Sequence, residues 1–160
     1  MTAEFLQWLQ GTPLAVAIAE EWFPLVESLH VVTMAIVAGT IFLVDTRLIG
    51  LTSTRLGFNY LADRLLPWTW AAFACSVVTG TLMFTSNATG YYGNAAFRVK
   101  MLLLLLAGLN MLYFQTVTFR GVSAWDLGRP PVAARLAGAV SISLWCGVIG
   151  FGRWIGFTQS

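Results

Sequence analysis

Residues 95–119, AAFRVKMLLLLLAGLNMLYFQTVTF, carry two cations near one end and then nineteen residues without a charge. A helix of about 20 apolar residues, rising 1.5 Å per residue, crosses roughly 30 Å of hydrocarbon. The run has no polar alternation, so it reads as a helix, which satisfies its own backbone hydrogen bonds in lipid. Three further stretches have the same character: 22–44, 67–87 and 132–157. The expectation is an all-α polytopic membrane protein, a four-transmembrane-helix bundle forming a single domain over 1–160.

Composition agrees. Of 160 residues, 58% are hydrophobic and only 10% charged, too apolar for an ordinary soluble domain. The formal charge of +2 is spread over the ends of the spans, so no nucleic-acid surface is expected. Residues 1–20 are expected to lie in the membrane interface. Phe5, Leu6, Trp8 and Leu9 suit a short interfacial helix, and Gly11, Thr12 and Pro13 interrupt it. The absence of an early Arg or Lys argues against a secretory leader.

Arg47, Arg55 and Arg64 fall in the first loop, and Arg120, Arg129 and Arg135 in or beside the third. Cytoplasmic loops are enriched in Arg and Lys, so both termini are expected on the periplasmic side of a bacterial inner membrane. Pro67 is expected to open the second span, and SNATGYYGN (86–94) to form a polar turn. Cys75 and Cys146 belong to no metal-binding pattern and read as buried thiols. The small-residue series Ala35 and Gly39, Ala133, Ala137 and Ser141, and Gly152 and Gly156 mark faces where helices approach, within one bundle or between subunits of a homo-oligomer.

The chain has one histidine and one lysine, His30 and Lys100, and both fall inside spans. An ionisable group at membrane depth is costly unless it faces protein or water, so each is a functional candidate. His30 lies about 12 Å below the start of its span, and Lys100 about 5–10 Å below the start of its own. Glu27 is three residues before His30, and Arg153 returns to the same leaflet on the last span. Met34 extends the His30 face, Met83 reaches a similar depth, and Asn110 suits an interhelical hydrogen bond. An imidazole there can ligate haem iron or another metal, or relay protons. Structural roles compete: a snorkelling lysine, a histidine bonded to a carbonyl, a packing methionine.

The elements SLHVVTMAIVAGT, Arg47 with Leu48, VVTGTLM and FRVKMLLLLLAGLN, within about 25–115, resemble the CopD-like group of copper-resistance membrane proteins. They are also similar to the HemJ-type, haem-binding protoporphyrinogen oxidases. The resemblance implies that His30 is an iron ligand and that Lys100 lies near it. A tryptophan-methionine element after the histidine is missing here, as are the extra methionine and histidine ligands of copper carriers. The leading expectation is therefore a haem b protein with His30 as ligand. Glu27, Lys100, Arg153 and Met83 complete the cofactor environment, and electrons pass to a quinone or a redox partner. Copper transport, a porphyrinogen-oxidase-like enzyme and a cofactor-free membrane scaffold are the alternatives, so whether the chain is an enzyme stays open.

Overall fold

The computed structural model describes residues 1–52 and 57–158. Arg55, counted among the loop cations, lies outside the described residues. Seven α-helices follow in order: α1 (Thr2–Gln10), α2 (Pro13–Ala17), α3 (Phe23–Ile49), α4 (Phe58–Ser86), α5 (Ala88–Gly93), α6 (Ala95–Tyr113) and α7 (Val132–Thr158). Four helical segments are long and apolar enough to cross a membrane: Pro13–Ile49, Phe58–Ser86, Ala95–Ala124 and Val132–Thr158. The fold is the expected all-α bundle of a polytopic membrane protein. Leu102, Leu105, Leu106 and Leu109 of α6 all point out of the protein, which only a hydrocarbon surround accommodates at this density.

Local signals set the boundaries. The Thr12 side chain accepts from the Ala15 amide, and Pro13 fills the first helical position, so the chain restarts directly after the break at Gly11. It then runs through a single π-turn (Ile18–Trp22) into α3. The interfacial segment is thus shorter than the expected 1–20: only α1 is separate, and the helix feeding the first span begins at Pro13. On α1, Leu6 is buried while Phe5 and Trp8 are exposed with stacked rings.

Three further expectations need correction. Pro67 does not open the second span but lies inside α4, which starts nine residues earlier. The reason is a cap from another segment: Asp126 accepts the Phe58 amide on its carbonyl and the Asn59 amide on its carboxylate. The polar turn at 86–94 contains α5, capped by the Asn87 side chain on the Gly90 amide, while Asn94 caps α6. Cys75 is half-buried, but Cys146 points out of the bundle.

Helix packing follows the order α4–α3–α7–α6. The α3–α4 seam is antiparallel and repeats at three- and four-residue steps, 30, 33, 37, 40 against 79, 76, 72, 69. His30 meets Thr79, the Ser76 hydroxyl donates to Thr33 Oγ1 at 2.8 Å, Val37 and Ala72 share an apolar core, and the Thr69 hydroxyl donates to Thr40 Oγ1 at 2.8 Å. Small and hydroxylated residues let the helices approach and bond where lipid offers no hydrophobic drive between them. Asn110 acts as expected, its Nδ2 donating to the Ala137 carbonyl on α7 at 3.0 Å.

Helices α3 and α7 come close together at Gly138, where an added Cβ would sit 3.0 Å from Leu48 Cβ and 3.1 Å from the Asp45 carbonyl oxygen. Gly138→Val should therefore destabilise the protein by about 1–3 kcal/mol. Gly150→Ala, where a Cβ meets nothing within 4 Å, should be near neutral in the same unfolding titration. Equal midpoints would refute this account of the α3–α7 contact. Ala35 and Gly39, in contrast, face out of the bundle.

Helices α4 and α6 flank this row and are not packed against each other along their middles. Aromatic rings bridge them at both ends. At the end bearing the termini, Phe84 of α4 stacks on Phe97 of α6 at 5.6 Å, beside Tyr91. At the opposite end, Phe58 of α4 meets Phe114 at 5.8 Å and Phe119 at 6.2 Å.

Candidate functional site

His30 is half-buried on the α4-facing side of α3. Its Nδ1 lies 3.1 Å from the Ser76 carbonyl oxygen and 3.0 Å from Thr79 Oγ1. A carbonyl has no proton to give, so Nδ1 is the donor. The Thr79 hydroxyl can place its own proton on the Cys75 carbonyl at 2.9 Å, leaving its oxygen to accept from His30 as well. In the neutral ring this fixes the tautomer: Nδ1 carries the hydrogen and Nε2 keeps a bare lone pair. Histidines that ligate metals are commonly oriented in this way, by a bond from the other ring nitrogen to a carbonyl.

Gly80 completes the seat. A Cβ there would lie 3.1 Å from His30 Cε1 and 3.5 Å from Nδ1, so the ring edge occupies the space a side chain would need. One helix turn therefore supplies the acceptor (Ser76), a polar partner (Thr79) and a clearance (Gly80).

Lys100 reaches the same region from α6. Its aliphatic stem lies along α7, with Cδ, Cε and Nζ each 3.7 Å from where a Gly152 side chain would begin. Its charge is within electrostatic reach of the imidazole. Gly152, read from the sequence as a helix-packing glycine, instead makes room for the lysine stem, while Gly156 faces open space.

The other candidates do not join this pair. Glu27 is exposed, and among the described residues the only ion pair joins the Met1 amino group to Glu4. Arg153 is exposed too, and its guanidinium lies over the Phe157 ring at 5.4 Å. The helical step explains this: one residue after Gly152, Arg153 is turned roughly 100° from the face that receives Lys100. Met34 packs into the core around Val37 and Trp145. Met83 is half-buried on α4, one turn beyond Thr79 toward the termini.

Sequence reasoning missed Ser76, Thr79 and Gly80. The available signal was the matching three-four-three spacing of small and polar positions on the two helices.

A second polar cluster lies at the other end of the bundle. Arg47, 1% exposed, donates from Nη2 to the Asp126 carbonyl at 2.8 Å. It belongs to the last turn of α3 rather than to a loop, and ties the 119–131 connection to α3 and α4.

The model of a family of unknown function, DUF6644, matches residues 14–158, and the chain belongs to that family. No curated protein and no solved structure matches the chain.

Proposed function

We propose that this protein is a haem b-binding electron-transfer protein of the bacterial inner membrane, with His30 Nε2 as an axial ligand. The single observation behind this reading is the orientation of the imidazole. Its Nδ1–H is committed to α4, which leaves Nε2 as the ring's donor atom. The donor set fits the group in chemistry: a neutral imidazole for the iron and an ammonium, on Lys100, for a propionate carboxylate. When bound, haem supplies one-electron chemistry at this depth. The protein's part is to hold the ring by Ser76 and Thr79, to clear space at Gly80 and to balance charge with Lys100.

The chain holds one histidine, so any second protein ligand to the iron would come from another residue type, such as Met83, or from a second copy. Copper is less well supported. Among the described residues no three His, Cys, Asp or Glu side chains cluster, and Met34 is taken up in the core. The distribution of Arg residues supports periplasmic termini, which puts His30 and Lys100 in the periplasmic leaflet. A quinone or a periplasmic redox protein is the corresponding electron partner.

The test is an optical spectrum and iron assay on protein purified from cells supplied with haem precursor. The expected result is a Soret band that shifts on reduction, near one haem per chain at most, with Lys100→Ala reduced in haem content. Iron-free protein with no Soret band after haem titration would refute the proposal.

A further inference from the structure

A large cavity lies away from His30. It encloses about 640 Å³ between α3, α4, α6 and α7 on the side of the bundle opposite the termini, and neither His30 nor Lys100 lines it. Asp45, fifteen residues after His30 and so about 22 Å further along α3, is in its wall. Sequence reasoning placed Asp45 in the first loop, because the apolar run ends at Val44, but α3 continues to Ile49.

The Asp45 side chain is only 5% exposed, and its Oδ2 has no hydrogen-bond partner among the described residues. The Ser141 hydroxyl of α7 is its polar neighbour, and no ion pair among the described residues reaches it. A buried carboxylate without a cation is costly, and at membrane depth it marks a site whose partner must be named. The cavity supplies the rest of the recognition. Trp70, Phe73, Phe114 and Trp145 line it, and most of the remaining wall is apolar, with Thr69, Asn110, Gln115 and Ser141 the other polar side chains. Aromatic walls around a carboxylate suit a weakly hydrated cation, which gains from ring quadrupoles as well as from the charge. A lateral route is available: α4 and α6 do not pack extensively against each other, and the lining residues Trp70 on α4 and Gly108 and Leu112 on α6 are exposed.

We propose that this cavity binds a lipophilic organic cation from the bilayer, with the cationic centre at Asp45 and its apolar or aromatic substituents against the ring-lined wall. Its volume falls within the roughly 300–1,000 Å³ of sites for drug-sized ligands. The proposal is independent of haem at His30, since the two sites share no residue.

Tetraphenylphosphonium titrated into the purified full chain in detergent, followed by equilibrium dialysis and by quenching of tryptophan fluorescence, tests it. Saturable binding is expected, weakened at least tenfold in Asp45→Asn. Gly108→Leu should weaken it similarly, because Gly108 lines the cavity and a Cβ there meets nothing within 4 Å, which leaves room for a longer side chain to compete with the ligand. Tetraphenylborate, of like size and opposite charge, should not compete. Unchanged affinity in either folded variant, or equal binding of the borate or of a neutral hydroxylated lipid, would overturn the proposal. Should Asp45→Asn not fold, Gly108→Leu and the borate comparison decide. Haem measured on the same samples keeps the two readings apart: cation binding without haem leaves this site standing, and haem without cation binding removes only this site.

Discussion

Arg47→Ala should lower stability by about 2–5 kcal/mol, the range for truncating a large buried side chain that also donates a hydrogen bond. Arg47 joins three segments at the end of the bundle opposite the termini. Its guanidinium donates to the Asp126 carbonyl, which also accepts the Phe58 amide, while the Asp126 carboxylate caps α4 at Asn59. Alanine would remove one of the two donors to the Asp126 carbonyl and leave a void where a fully buried side chain stood. The start of α4 would lose its support. Arg47→Lys should recover only a small part, because a shorter side chain ending in one ammonium does not carry the planar guanidinium donor to the Asp126 carbonyl. Unfolding in a mixed-detergent titration provides the measurement. A midpoint in Arg47→Ala equal to wild type would show that the clamp is incidental.

Gly80→Leu should remove haem binding while leaving the bundle folded. The first side-chain carbon would already lie 3.1 Å from His30 Cε1, and two further branches would occupy the ring's own volume. The imidazole would have to leave the Ser76 carbonyl, and with that bond goes the tautomer that exposes Nε2. Disturbing the groups that orient a metal-ligating histidine typically costs 10–100-fold in affinity, so haem content at limiting haem should fall at least tenfold. Gly80→Ala should lie between, because a methyl group needs only a few tenths of an ångström from the ring. Both variants keep His30, so they test the seat rather than the ligand. Wild-type haem content in Gly80→Leu, with circular dichroism unchanged, would contradict the geometry.

The architecture was readable because hydropathy in lipid is a strong constraint: four runs such as MLLLLLAGL have few other structural outcomes. Helix ends were less readable where their cause lies far away in the chain. Nothing near Pro67 reveals that Asp126, about sixty residues on, caps α4 at Phe58. The same limit hid Asp45, which looked like a loop residue because hydropathy ends one residue before it while the helix does not. At the site, His30 and Lys100 were legible because ionisable groups inside apolar runs are conspicuous. Ser76, Thr79 and Gly80 were not, since those residue types are ordinary packing residues of membrane helices. Arg153 and Glu27 were placed at the right end of the bundle. Depth is legible from residue count, but the direction a side chain faces depends on which neighbour the helix meets.

His30 is the only imidazole in the chain, so ¹⁵N-histidine labelling gives a spectrum that reports on this one ring. In the haem-free protein at neutral pH, the account predicts a neutral ring with the proton on Nδ1 and an unprotonated Nε2, and the Nε2 signal should shift or broaden when haemin is added. A spectrum showing the hydrogen on Nε2 with Nδ1 bare would contradict the Ser76 bond, and with it the ligand atom on which the functional reading depends.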